Sequence, residues 1–512
     1  MTAFDAPSLP KLVQAGPVPW PLHDARATRA AEAMAAATRP QPSLMERAGL
    51  AVARLTQALA PHAPWVRVWA GPGNNGSDGL VAARHLHAVG RRVAVCLLAD
   101  AARLPAEAQA ALQQAQDAGV LITTALPLPG GPDDAHIDAL LGLGARRAPG
   151  GVLAAAIDAI NAHRGLTLGV DLPSGLHPDT GTCLGSAAAR CTDTLALLTV
   201  KPGCYTGAGR DHAGRVWLDN LGVDAGPASA WLTGASASPL HPHISHKGSW
   251  GCVAVIGGAP GMVGAAWLAA RAALAAGAGR VYCSLLDETA ALFDPARPEL
   301  MGRAAWWRSD PAVLAATTVV CGCGGGEAVK SAMPALLAHA RRLVLDADAL
   351  NAIAAEPQLH KRLQARAARG WATVLTPHPL EAARLLQWDV NAVQGDRLRA
   401  AAALAERYGV TVLLKGSGSV VATVDRVPRI NATGNAALAT AGTGDVLAGW
   451  IAGLWAQTRP DDVTAESHLA GDIAATAAGQ HGEVADCWLA AGHAGPLRAA
   501  DLIEALAGRI RS

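Results

Sequence analysis

An excess of one charge is missing from this chain of 512 residues. Its 42 Lys and Arg balance 41 Asp and Glu, the formal charge is +1, and no basic run occurs. That removes the electrostatic case for a nucleic-acid partner. A membrane span is missing too. The most apolar helical stretch, Met262 to Gly279, is cut by Arg271 and studded with glycine. The N-terminal segment lacks the charged start and apolar centre of a secretory signal. Nine cysteines are scattered without paired spacing, which argues against a disulfide framework and suits reduced thiols in a cytoplasm. Cys321 and Cys323 form a CxC with no second pair nearby to complete a zinc site, and they read as small core residues near a strand end.

What is present is an alternation of apolar runs and helical patterns over a length that calls for two or more domains. Hydrophobic residues make up 51% of the chain, largely as alanine, as in a helix-rich α/β protein. Residues 1–20 are Pro-rich and read as a loose leader, with helix from Leu22 through Ser43 to Leu59. Strands are expected at Val66 to Ala70, Arg92 to Leu98, Leu166 to Val170 and Thr194 to Val200. Asp224 to His243, rich in Gly, Ala, Ser and Pro, is the best inter-domain linker. A second series begins at Cys252 to Ile256 and ends in a helix at Ala500 to Arg509. The halves show no repeat, so the chain reads as a fusion.

The most informative segment is Gly442-Thr443-Gly444-Asp445. Bare backbone N–H groups open a helix whose apolar residues Val446, Leu447, Trp450, Ile451, Leu454 and Trp455 mark one buried stripe. Such a turn is an anion site. A carboxylate inside it suits a base that deprotonates a hydroxyl attacking phosphorus. Lys415-Gly416-Ser417-Gly418-Ser419 follows an apolar strand and offers a cation and small donors for a second phosphate contact. Asn431 to Asn435 is a polar loop leading into that helix. Asp346 to Asn351 and Thr376 to Glu381 follow strands at Leu343 to Leu345 and Thr373 to Leu375, where open α/β sheets bind ligands. In the first half, Val66 to Ala70 runs into Gly71-Pro72-Gly73-Asn74-Asn75-Gly76-Ser77-Asp78-Gly79 and a helix, a phosphate-binding unit whose spacing is not GxGxxG. Asp138 and Asp171 each stand near the end of an apolar run.

With these segments in view, residues from about 243 to 508 resemble the ribokinase-like ADP-dependent NAD(P)H-hydrate dehydratase family. The match runs from His246-Lys247-Gly248 and Ile256 to Ala266, through Arg297 to Met301, to the Gly-Thr-Gly-Asp turn and His481-Gly482. The first 225 or so residues resemble the NAD(P)H-hydrate epimerase domain, through Leu44 to Gly49, the Asn-rich turn, Asp138 to Gly144, Gly169 to Gly175 and Val200 to Gly203. The resemblance implies two three-layer α/β domains, Rossmann-like at residues 1–225 and ribokinase-like at residues 243–512, with 226–242 as linker.

It also implies roles. ADP would phosphorylate the ring hydroxyl of hydrated NADH or NADPH, and the ester would eliminate to leave AMP, phosphate and the reduced cofactor. Asp445 would be the base, and Gly442, Thr443 and Gly444 would hold the transferring phosphate. Lys415 to Ser419 with Gly444 would bind the nucleotide. Ala265, Gly326 and His378 match contacts to the hydrated cofactor, and Mg²⁺ would be held mainly through nucleotide phosphates. In the epimerase half, Asn74, Asn75, Gly76, Ser77 and Asp78 match substrate contacts. So do Gly142, Leu143, Gly144, Ala145, Arg146, Arg147 and Ala148, together with Asp171. Asn75, Asp138 and Ser174 match potassium ligands, all oxygen donors. Asp171 is the first choice for proton transfer there, and Lys201 is either its helper or a structural ion pair. A cytoplasmic homo-oligomer acting on small molecules, without nucleic acid or membrane partners, is expected.

Three departures stand out. Ser77 replaces a usual glycine, at some strain if its φ is positive. Cys321 to Gly326 replaces a Gly-Pro-Gly-Leu-Gly-like turn. Leu380 replaces glycine after Thr-Pro-His-Pro and could narrow the substrate side. A ribokinase-like kinase of a small alcohol, with a non-catalytic N-terminal binding module, is the rival reading. The sequence does not separate ADP from ATP, or NADHX from NADPHX.

Overall fold

The computed structural model describes residues 9–38, 41–126, 131–186, 188–235, 246–458 and 463–511. It divides into two compact units, one on Trp20–Trp231 with the stretch ending at Gln14, the other on Leu232–Ser512 with Ala15–Pro19. Within the stretch expected as linker, Ala230–Thr233 forms a β-strand, and residues 236–245 lie outside the described ones.

The first unit carries an eight-stranded sheet. From one edge its order is Lys11–Leu12, Arg215–Asp219, Asp193–Leu197, Thr167–Val170, Ala135–Ala139, Val66–Ala70, Val93–Leu97 and Leu121–Thr123. All pairs are parallel except the first, in which Lys11 and Leu12 run antiparallel to Leu218 and Trp217. Part of the expected leader is therefore an edge strand. Strand residues alternate between faces, and each face has its own core. Val66, Val68 and Ala70 pack with the helices Leu44–Leu59 and Asn74–Ala88. Trp69 and Cys96 pack with Ile157 and Ile160 of the helix Val152–Ala162.

In the second unit the order is Met301–Gly302, Arg280–Leu285, Cys252–Gly257, Thr318–Cys321, Arg342–Leu345, Thr373–Leu375, Thr411–Leu414, Val420–Ala422 and Arg429–Asn431. Pairing is parallel up to Thr411–Leu414 and antiparallel beyond it. Val253, Val255 and Val320 belong to one core; Ala254, Ile256 and Val319 belong to the other. Alternation thus builds three layers in both units. The helix Thr443–Ala456 is buried along nearly its whole length rather than on one stripe. Its glycines explain this: a Cβ on Gly449 would lie 2.0 Å from the Ala269 carbonyl oxygen, so only glycine lets the helix Val263–Ala275 come so close. Among the described residues no helix is long and apolar enough to cross a membrane.

Candidate active sites

In the first unit, the chain leaves Val66–Ala70 toward one sheet edge and later returns at Ala135–Ala139 on its other side. That reversal opens a crevice at the strand carboxyl ends. The Asn-rich segment is not a turn: Asn74 to Asp78 form the first helical residues of Asn74–Ala88. Ser77 sits in that helix, outside the positive-φ residues, and its side chain is buried. Serine in place of glycine therefore brings no backbone strain. A Cβ on Gly76 would lie 2.0 Å from the Gly71 carbonyl oxygen, so this glycine serves close packing of the helix start.

A cavity of about 980 Å³ fills the crevice, and Asn74, Asn75, Asp78, Gly142, Leu143, Gly144, Ala145 and Asp171 contribute to its wall. Arg146, Arg147 and Ala148 follow in exposed positions. Two charged wall residues, Arg29 and Glu32, come from the helix Ala25–Thr38 and escaped sequence reasoning. Their signal is faint, an Arg and a Glu three positions apart in an alanine-rich helix. Asp171 is held at φ 66°, a strained conformation for a non-glycine residue. Lys201, fully buried, donates to its carboxylate and to the carbonyls of Leu197 at 2.8 Å and Thr199 at 2.9 Å. Burial raises the pKa of Glu32, aided by Asp171 and opposed by Lys201 and Arg29. Burial raises that of Asp78 well above its usual range, aided by Asp171 and Glu32.

Behind the cavity wall, the fully buried Asp138 carboxylate accepts from the Ser174 hydroxyl at 2.6 Å and the Ser174 N–H at 2.8 Å. The Leu141 carbonyl accepts from Asn75 and from Ser174, both at 3.2 Å. Ser174 thus bridges Asp138 and the Leu141 carbonyl, which Asn75 also reaches through its amide nitrogen. Among the described residues no cationic side chain pairs with Asp138, whose bonds are to neutral donors. A buried carboxylate without a counter-charge suits a bound cation.

In the second unit, the loops after the parallel strands converge. Lys415 donates to Asp346 at 2.7 Å, and a Cβ on Gly444 would lie 3.3 Å from the Lys415 ammonium nitrogen. The lysine thus faces the helix start that carries Asp445. Gly442 caps this helix at φ 89°, and the Thr443 hydroxyl closes the turn onto the carbonyls of Leu438 and Thr440. Beneath it, buried His481 meets the Thr443 carbonyl at 3.0 Å, its pKa lowered by burial to about 4. Cys323, Asp346 and Asp445 place ligand atoms within 4.8 Å of one another. Burial raises the Asp445 pKa to about 6, aided by Asp346 and opposed by a hydrogen bond from Cys323 and by Lys415.

The Lys415 N–H donates to the Pro377 carbonyl at 2.9 Å, tying Lys415 to Ser419 onto the Thr-Pro-His-Pro loop. Buried Arg397 supports the same loop, donating to the Lys415 carbonyl at 3.1 Å. Gly416 and Ser419 close it on each other, with the Gly416 N–H 3.3 Å from the Ser419 hydroxyl, while Ser417 is exposed and Gly418 buried. His378 has a structural task. Its Nδ1 accepts from the N–H groups of Leu380 and Glu381, and Glu381 accepts the His378 N–H, a reciprocal cap on the helix Pro379–Leu386. The Pro and Glu that follow it are sequence signals for that cap. Leu380 points into solvent. Gly326 donates to Asp348 at 2.8 Å. A Cβ on Gly326 would meet the Met262 side chain at 3.3 Å, and one on Gly324 the Ala265 Cβ at 2.9 Å. Ala265 and the turn ending at Gly326 therefore border the same Met262 loop.

Comparison with known proteins gives two family matches, an NAD(P)H-hydrate dehydratase model over residues 253–507 and a YjeF-related protein N-terminus model over 41–203. The Escherichia coli (strain K12) bifunctional NAD(P)H-hydrate repair enzyme Nnr is 37% identical over 432 residues, covering 81% of this chain and 80% of that one. The Coxiella burnetii enzyme of the same name is 35% identical over 469 residues, covering 86% and 92%. A crystal structure of the ADP/ATP-dependent NAD(P)H-hydrate dehydratase from Bacillus subtilis, co-crystallised with ATP and Mg²⁺, is 27% identical. It covers 54% of this chain and 94% of its own, with a TM-score of 0.42.

Proposed function

As the chain belongs to the family of bifunctional NAD(P)H-hydrate repair enzymes, we propose that it performs both halves of that repair with the residues described above. The first unit epimerises R and S hydrates of NADH and NADPH. The second dehydrates the S form at the expense of ADP. The observation that carries the second half is the Asp346–Lys415–Gly444–Asp445 cluster, a cation and a helix N-terminus beside a carboxylate whose pKa burial raises to about 6. Lys415 and the N–H groups of Gly442 to Gly444 neutralise the phosphoryl group as charge builds on it. Asp445 accepts the proton of the attacking ring hydroxyl. Gly416 to Ser419 hold the remainder of the nucleotide, and Ala265, Gly326 and the His378 loop border the nicotinamide. His378 acts there chiefly as the cap that sets its loop, its Nε2 resting 3.3 Å from the Glu381 carboxylate. Mg²⁺, held through nucleotide phosphates, would supply further neutralisation.

Potassium is assigned to Asn75, Asp138 and Ser174, supported by the uncompensated Asp138 carboxylate. Free cysteines suit a reducing cytoplasm, where we place the enzyme as a homo-oligomer. The deciding experiment mixes acid-hydrated NADH with the protein, Mg²⁺ and either ADP or ATP. Recovery of the near-ultraviolet absorbance of NADH, with AMP and phosphate released from ADP, is expected. Recovery with ATP alone would reverse the donor assignment. A stable phosphorylated product would favour the rival kinase.

A further inference from the structure

The hydrated ring carries its hydroxyl on a carbon bonded to the ring nitrogen, so the centre to be inverted is a carbinolamine. Such a centre inverts most simply by opening and reclosing, which needs one group to take a proton and another to give one. We infer that Asp171 and Asp78 are that pair, Asp171 the acceptor and Asp78 the donor, and that Glu32 is a positioning residue that keeps Asp78 in the donor role. The inference rests on the epimerase reading of the first unit and deepens it.

The two carboxyls face one cavity from different elements. Asp171 follows the strand Thr167–Val170, and Asp78 lies in the first turns of the helix Asn74–Ala88. Their surroundings are opposite. The Lys201 ammonium and the Leu197 N–H both donate to Asp171, so its oxygens are held as acceptors. The charged groups acting on Asp78 are carboxylates, Asp171 and then Glu32, and burial disfavours its charge further. A carboxylate ringed by donors suits the acceptor, and a carboxyl facing other carboxylates suits the donor. The other charged groups on the cavity wall are Arg29 and Glu107, with Lys201 beneath Asp171.

Asp171 takes the hydroxyl proton as the C6–O double bond forms and the bond from C6 to N1 breaks. The bond's electron pair goes to N1, which takes the proton of Asp78. Rotation about the bond from C5 to C6 turns the other face of the aldehyde to the nitrogen. N1 then attacks C6, its proton returns to Asp78, and Asp171 gives its proton back to oxygen. Both residues end as they began, and no co-reactant is consumed.

The test uses the full-length protein and pure R hydrate, with the epimers resolved by chromatography and the uncatalysed rate subtracted. Asp78→Asn should lose about 100- to 10,000-fold in epimerisation, with Asp78→Glu recovering part of it and thermal unfolding of both variants close to wild type. Glu32→Gln should give a smaller loss and a distinct signature. An acid works only while protonated, so epimerisation falls as pH rises through the Asp78 pKa. Removing the neighbouring negative charge lowers that pKa and moves the alkaline limb to lower pH. Wild-type epimerisation by Asp78→Asn would overturn the donor assignment, and an unmoved limb in Glu32→Gln would overturn the role of Glu32. If wild-type protein did not accelerate epimerisation at all, the epimerase reading itself would fall, a separable outcome.

Discussion

Asp445 stands among groups that pull its titration in opposite directions: burial and Asp346 raise its pKa, while Cys323 and Lys415 lower it to a balance at about 6. Cys323 is itself buried, and burial followed by Asp445 and Asp346 raises its thiol well above the usual range. It therefore stays protonated and can only donate. A base works while ionised, so dehydration should fall as pH drops through about 6. Cys323→Ala removes the donor and should shift that acidic limb to higher pH, by a fraction of a unit up to about one unit. Single-turnover rates across the limb would show it. An unmoved limb would mean that the thiol does not hold Asp445. Sequence showed Cys323 only as a small residue in an altered turn, because its partner lies over a hundred positions away and nothing local marks the contact.

At the scale of elements, apolar runs placed the strands: Val66–Ala70 and Thr373–Leu375 fall where expected, and Val93–Leu97 within one position of its expected ends. The strand expected at Thr194 to Val200 runs instead over Asp193–Leu197. A strand buried on both faces reads as a short continuous apolar run, which flanking turn residues and β-branched side chains separate from a helix. Helix starts were less legible. Asn74 to Asp78 read as a turn because glycine and asparagine disfavour helix interiors, yet tight packing against Gly71 demands glycine at position 76 inside the helix. The Ala25–Thr38 helix showed no function because alanine hides which face it turns inward. What such elements build together can be tested at the proposed potassium site. Asn75 comes from a helix start, Asp138 from a strand and Ser174 from the loop after another strand, and Leu141 joins them. Asp138→Ala removes the uncompensated charge, so epimerisation and its dependence on potassium should weaken together. Epimerisation equal to wild type with and without potassium would remove the cation from this place.

For the whole molecule, two units with separate cores should carry separable chemistry. The sequence told this much through motif order, since the Gly-Thr-Gly-Asp turn and the Asn-rich helix start are far apart in the chain and each heads its own strand series. Asp445→Asn tests it, because asparagine nearly keeps the shape of the side chain but cannot accept a hydroxyl proton. The turn Gly442 to Gly444, held by Thr443 onto Leu438 and Thr440, does not depend on the carboxylate and should still bind nucleotide. Loss of a general base costs about 100- to 10,000-fold, so dehydration of the S hydrate should collapse. Starting from pure R hydrate, S hydrate should nevertheless appear, without recovery of NADH. Wild-type dehydration by this variant would exclude Asp445 from the mechanism. Loss of both activities in a chain that still melts like wild type would show that the units are coupled, because the first unit's own cavity contains no part of the Asp445 cluster.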